Sequence, residues 1–202
     1  MSDLFEEKAK DWDVNEMVQQ LSSAVGECIV SHVELDPQMH VMDFGAGTGL
    51  ITSQVAPRVK KITAVDVSQA MLDQLLKKQA ANNINNIEIL CQDILSKPTS
   101  ENYDLIVSAM AMHHVEDTDN MLQEFSSHLK PGAKVALADL DKEDGSFHPE
   151  DVQGVFHHGF ERAEFKNALE KNGFKDINIL TAHTVLKDDK KYPVFLCIAT
   201  KK

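Results

Sequence analysis

The sequence predicts an α/β fold, a mostly parallel sheet covered by helices on both faces, and three observations carry that reading. Apolar runs of strand length alternate with segments of helical periodicity through most of the chain. Strands separated by helical patterns belong to parallel sheets buried on both sides. The first strand runs into VMDFGAGTGL, Val41 to Leu50, where one Asp and three glycines fall within seven residues. A strand, a Gly-rich turn and the opening of a helix make a nucleotide-sized pocket, because backbone N–H groups at the turn face the ligand. The final apolar runs, FKDINIL and VFLCIAT, are separated by the charged turn KDDKKYP, which suits an antiparallel pair.

Taken in order, Val14, Met17, Val18, Leu21, Val25, Ile29 and Val33 form an i, i+3/i+4 stripe that predicts a helix over about 14–33. Pro37 separates it from the first strand, Met39 to Phe44. A helix from about Leu50 to Ala56 stops near Pro57. KITAVDV is the second strand, and Ser68 reads as the N-cap of a helix reaching about Ala81. NNINN is a turn, and NIEILCQDI and YDLIVSAM are the third and fourth strands. Asp117 to Leu129 predicts a helix closed by the turn Lys130-Pro131-Gly132, after which AKVALADL is the fifth strand. The acidic loop DKEDGSFHPED leads toward the amphipathic helix ERAEFKNALEKNGF, with Gly173 at C′. No repeat or linker interrupts the pattern, so residues 1–202 read as one domain, with an N-terminal helical and lid segment (1–33) before the core (39–202).

Bulk properties narrow the function. The chain is 43% hydrophobic and 26% charged, ordinary for a globular protein. A net charge of -12 argues against a nucleic-acid partner, since a phosphate backbone would be repelled. The acidic start, MSDLFEEKAKDWD, does not read as a secretory signal, and no apolar run approaches the roughly 20 residues of a membrane span. Cys28, Cys91 and Cys197 are scattered and lack a CxxC pairing, as in a reduced, cytoplasmic protein.

The ligand of the glycine turn is read from its neighbours. Gly45-Ala46-Gly47-Thr48-Gly49-Leu50 gives G-x-G-x-G, with Leu50 where a dinucleotide fold wants its third glycine. The Lys of a phosphate-binding loop is absent. Asp66 ends the second strand, 21 positions after Gly45, a spacing that suits a carboxylate gripping ribose hydroxyls. Asp93 ends the third strand. Asp43, Asp66 and Asp93 together repel a pyrophosphate but suit a ligand with a ribose, an exocyclic amine and a positive charge. S-adenosylmethionine has all three. The competing role for Asp66 and Asp93 is to cap the helices that follow them.

With VMDFGAGTGL, AVDVSQAML, CQDI, YDLIVSAMAMHHV and PGAKVALADLD, the chain resembles the class I S-adenosylmethionine-dependent methyltransferases, of the small type related to ubiquinone/menaquinone-biosynthesis methylases. The resemblance covers nearly the whole chain. It implies a Rossmann-like three-layer sandwich with a seven-stranded sheet of order 3-2-1-4-5-7-6, the last strand antiparallel. It also implies a role for each matching position. Gly45 and Gly47 would let backbone approach the methionine moiety, with Asp43 orienting the loop and favouring the ammonium. Asp66 would take the ribose diol, and Val67 and Met71 would pack near the adenine. Asp93 would accept from the adenine amine, with Ile94 against the ring. Ser108 and Ala109 would lie under the methionine arm. S-adenosylhomocysteine would be the product.

Methyl transfer is an in-line displacement helped chiefly by alignment. The Asn/Asp-Pro-Pro-aromatic motif of many amino methylases is replaced here by Ser108-Ala109-Met110-Ala111, which weighs against nucleobase N-methylation. His113 and His114, beyond the fourth strand, are the candidate bases, because imidazole titrates near neutrality. His148, His157 and His158, with Asp139, Asp141 and Asp144, are candidates to line a substrate pocket; their spacing matches no compact metal motif, so no metal is expected. Trp12 would supply an apolar lid surface over the cofactor, in a segment whose other apolar anchors are Leu4 and Phe5. The expected activity is methylation of a small-molecule acceptor. A cofactor-binding regulatory protein and a protein methyltransferase are the alternatives.

Overall fold

The structure, a computed structural model, describes residues 3, 5–149 and 152–202. Leu4, Glu150 and Asp151 therefore lie outside the described residues. The elements run α1 (Glu16–His32), β1 (His40–Phe44), α2 (Thr52–Val55), β2 (Lys61–Asp66), α3 (Gln69–Asn82), β3 (Ile87–Cys91), β4 (Tyr103–Ala109), α4 (Thr118–His128), β5 (Leu129–Leu140), α5 (Arg162–Lys171), β6 (Phe174–Lys187) and β7 (Lys190–Lys201). Their order in the sheet is β3-β2-β1-β4-β5-β7-β6. β1 to β5 pair in parallel, and β7 is antiparallel to both β5 and β6.

Alternation along each strand makes the three layers. Val41, Leu105, Val107, Ala136 and Ala138 face one core with Leu21, Val25 and Ile29 of α1 and Leu72 and Leu75 of α3. Met42, Ile106, Val135 and Leu137, one position out of phase, face a second core with Phe125 of α4 and Leu169 of α5. Successive side chains of a strand point to opposite faces, so helices must cover both. The caps match the local chemistry: Asn15 accepts from Met17 N and Val18 N, and Ser68 from Met71 N.

Three local expectations change. The helix after the glycine turn is a single turn, and Pro57 sits inside a 3-10 turn, Ala56–Arg58, where the missing N–H costs little. Pro131-Gly132 does not stand before the fifth strand. β5 leaves α4 directly, and the residues between Leu129, opposite Tyr103, and Lys134, opposite Leu105, form an irregularity in the ladder. The turn expected at 187–193 shrinks to Asp188-Asp189, both in the left-handed region (φ 50° and 60°), as a two-residue hairpin with primed geometry requires. The ladder extends because Val185 and Tyr192, paired across it, are buried against the first core and outweigh the polar composition around them.

Candidate functional site

The strand tips carry the site. At the end of β1 the chain leaves the sheet through Gly45 and Ala46, whose N–H groups both donate to Val65 O, at 2.8 and 3.0 Å. Gly45 has φ +67°, and a Cβ there would lie 2.3 Å from the Ala111 Cβ, so only glycine passes. Gly47 also has positive φ (+55°), but nothing lies within 4 Å of where its Cβ would be. That opening is the edge of a cavity of about 780 Å³, within the range of small-molecule sites.

Acids order the floor of this cavity. Asp43, 1% exposed, accepts from Thr52 Oγ1 at 2.5 Å. Burial pushes its carboxyl up to about 7; the Thr52 hydroxyl opposes this rise and the nearby Asp66 charge adds to it. Asp66 accepts from Gly47 N at 2.7 Å through Oδ2 and from Ser68 N at 2.8 Å through Oδ1. It thus ties the glycine turn to the start of α3, and burial raises its pKa against those amides. Each oxygen keeps a further lone pair for a ligand hydroxyl. Asp93 is exposed at the rim, where Oδ1 accepts from Leu95 N.

The roof comes from the N-terminal segment. Asp13 accepts from Thr48 Oγ1 at 2.5 Å and from Lys78 Nζ at 2.6 Å, fastening the segment to the glycine turn and α3. Asp3 accepts from Ser68 Oγ at 2.8 Å. Between these fastenings Phe5 meets Trp12 and His114 edge to face, at centroid separations of 6.1 and 5.4 Å.

One side wall holds three histidines. His113 and His114 lie in a 3-10 turn after β4, and His148 comes from the loop after β5. Their ring centroids are 4.2 Å (His113–His114), 4.9 Å (His113–His148) and 6.1 Å (His114–His148) apart. Asp139, fully buried at the end of β5, accepts from His113 Nδ1 at 2.8 Å and from His113 N at 3.2 Å. His114 Nδ1 meets Gly154 O at 2.6 Å. Burial, then the neighbouring imidazoles, lower His114 and His148 to about 4 each, so both are neutral near pH 7.

Trp12, Asp43, Gly45, Gly47, Asp66, Val67, Met71, Asp93, Ala109, His113 and His114 all line the cavity. Two expected residues do not. Ile94 is fully buried in the second core, because the turn after β3 points it inward; Gln92 and Leu95 take the wall instead. Ser108 is fully buried and donates to Phe44 O at 2.9 Å, a cross-strand tie between β4 and β1. Of the loop candidates only His148 reaches the cavity. His157 bonds Val115 O, and His158 sits beside Glu143. Asp141 holds Arg162 bidentately at 2.7 and 2.8 Å, and Asp144 pairs with Lys190. No group of three or more His, Cys, Asp or Glu among the described residues is arranged to hold a metal ion. Sequence reasoning missed Asp13 as a fastening and Asp139 as the partner of His113. The signal for the second was the adjacency of the fourth and fifth strands, whose tips carry both.

Residues 41–132 match the family model described as a methyltransferase domain. An uncharacterized methyltransferase of Schizosaccharomyces pombe is 33% identical over 176 residues, 76% of this chain and 60% of that protein. A ubiquinone biosynthesis O-methyltransferase of Coxiella burnetii is 30% identical over 104 residues, 51% of this chain and 44% of that one. The chain thus spans less than two thirds of either relative. A solved S-adenosylmethionine-dependent methyltransferase of Aquifex aeolicus shares the fold with a TM-score of 0.74, at 21% identity and with 98% of each chain covered. The matching domain, the relatives and the sheet order together support a class I S-adenosylmethionine-dependent methyltransferase.

Proposed function

We propose that the chain transfers a methyl group from S-adenosylmethionine to a small-molecule acceptor. The observation that carries this is the size of the cavity and the N-terminal segment lying over it. Its floor is the glycine turn with Asp43 and Asp66, and its roof is the segment bearing Phe5 and Trp12. About 780 Å³ accommodates a nucleoside-like donor and a compact acceptor.

The residues fit the donor. Asp66 would hold the ribose hydroxyls, for which its orientation is fixed in advance by Gly47 N and Ser68 N. The space left by Gly47 would admit the methionine arm, and Asp43 would favour its positive end. Val67, Met71 and Asp93 would receive the adenine. Bound there, the donor supplies a sulfonium-activated methyl group. The protein's part is to align acceptor and methyl and to exclude water under the roof.

Calorimetry tests the reading. S-adenosylmethionine and S-adenosylhomocysteine should bind and NAD should not; tight NAD binding without either would overturn it. Asp66→Ala should weaken cofactor binding by about 1.5–3 kcal/mol, the range for hydrogen bonds to a charged group. An unchanged dissociation constant in the folded variant would remove Asp66 from the site.

A further inference from the structure

We propose that His113 and His148 seat the acceptor's nucleophilic atom, a hydroxyl or thiol on an uncharged apolar body, with His113 taking its proton and Asp139 positioning His113. The proposal rests on the methyltransferase reading and names the acceptor class for that same cavity.

Two orphaned nitrogens point to it. His113 Nε2 and His148 Nε2 are buried and have no hydrogen-bond partner among the described residues. Both residues belong to the same cavity wall, with ring centroids 4.9 Å apart. A buried polar atom without a partner costs free energy, so a group that satisfies both nitrogens is favoured there. Asp139 sets the first of them. Its Oδ1 accepts from His113 Nδ1 and from Leu140 N, and a carboxylate has no proton to give, so Nδ1 carries a hydrogen and, in the neutral imidazole, Nε2 is the acceptor. A group that bridges the two nitrogens then donates to His113 Nε2, while its own lone pair accepts from His148 in the tautomer that carries hydrogen on Nε2. A hydroxyl or thiol does both. An ammonium has no lone pair, and a carboxylate has no proton.

The surroundings agree. Phe5, Val18, Leu21, Phe147 and Val152 line the adjoining wall. The ionisable groups near the pair are Asp139 on β5, His114 on the 3-10 turn, Lys187 on the hairpin and Lys8 on the N-terminal segment. Lys187 Nζ is held by Phe147 O at 2.8 Å, and Lys8 Nζ lies over the Phe5 ring at 5.9 Å. His114 and His148 are neutral near pH 7. His114 Nδ1 is engaged by Gly154 O, and its ring meets Phe5 edge to face.

In the step, the acceptor's X–H bond breaks and its proton passes to His113 Nε2. The freed pair on X forms the X–CH3 bond, and the carbon–sulfur bond of the sulfonium breaks with its pair left on sulfur. Asp139 stabilises the resulting imidazolium, which returns its proton to solvent after release.

The test uses the whole chain labelled with 15N-histidine, after calorimetry has shown that S-adenosylhomocysteine binds; failure at that point strikes the methyltransferase reading and not this one alone. In the loaded protein near pH 7, His113 should show a protonated Nδ1 and a bare Nε2, and Asp139→Asn should abolish that preference. Phenol, thiophenol and benzylamine then serve as probes bearing a hydroxyl, a thiol and an ammonium. Phenol or thiophenol should be methylated, with kcat falling about 100-fold or more in His113→Gln and KM little changed. S-adenosylhomocysteine should bind His113→Gln as tightly as the parent, which separates loss of the base from general damage to the wall. A protonated Nε2 on His113, methylation of benzylamine alone, turnover of none of the three by a cofactor-binding protein, or a His113→Gln rate like that of the parent would each overturn the proposal.

Discussion

The floor of the cavity is held by main chain: Gly45, Ala46 and Gly47 N–H groups are all engaged, two by Val65 O and one by Asp66. The roof and the histidine wall are held by side chains that cross long stretches of sequence, Asp13 to Thr48 and Lys78, Phe5 to His114, and His113 to Asp139. A floor built from backbone is stiff and tolerates little substitution. A roof built from single side-chain contacts gives up one contact at a time. The two regions also store opposite charge preferences: burial favours a protonated acid in the floor and unprotonated imidazoles in the wall.

Glycine substitutions should break the floor with the largest effect. Gly45→Ala combines backbone strain with a collision at Ala111, and should cost about 2–5 kcal/mol of folding stability. Gly47→Ala meets no neighbour and should cost only the strain, about 1–2 kcal/mol, while losing cofactor affinity because its methyl fills the opening. Denaturant titration and calorimetry on the two variants measure this difference. Equal stability losses would show that the contact with Ala111 is relieved by a small shift.

The charge preferences can be separated by pH. An Asp titrates ordinarily at 3.8 and Asp43 in the folded protein at about 7, so over that window the native state keeps a proton the unfolded chain has lost. Its contribution is present at low pH and is lost as pH rises, by at most about 1.4 kcal/mol per pH unit. His114 and His148 are shifted from 6.5 to about 4, so their contribution is present above 6.5 and is lost as pH falls. Asp43→Asn should therefore make stability climb more steeply with pH between about 4 and 7. The double variant His114→Gln/His148→Gln should make it flatter or falling. Parallel stability–pH curves for parent and variants would refute both assignments. A cationic ligand beside Asp43 should also release part of a proton on binding near pH 6.5, read as a dependence of the binding heat on buffer.

The smallest effect is expected at the roof. Asp13→Ala removes a partly exposed ion pair and one hydroxyl contact, worth about 1 kcal/mol together. Amide exchange across residues 5–13 should quicken several-fold while the β1 and β2 amides stay protected. Bound cofactor should slow the same residues in the parent, if the segment serves as a lid. Equal protection with and without cofactor would leave it a structural strap.

Part of the molecule was legible because its causes are local. Hydrophobic periodicity separated strands from helices, Ser68 announced its helix, and the G-x-G-x-G turn with Asp66 marked the floor, since a tight turn and a strand-end acid leave their signatures within a few residues. Hairpin length was hidden: Val185 and Tyr192 are apolar positions in a charged stretch, and only their burial against α1's side of the sheet shows that the ladder continues. Ile94 and Ser108 fit the site by sequence position, yet the direction of a side chain after a strand is decided by which core it enters. The pairing of His113 with Asp139, the approach of His148 and the fastening of Asp13 to Thr48 join residues 26 to 35 positions apart. Such contacts depend on parallel strands ending side by side and on loops folding back over their tips. Spacing along the chain does not encode that distance, so the cavity's floor belongs to the sequence and its wall and roof to the tertiary structure.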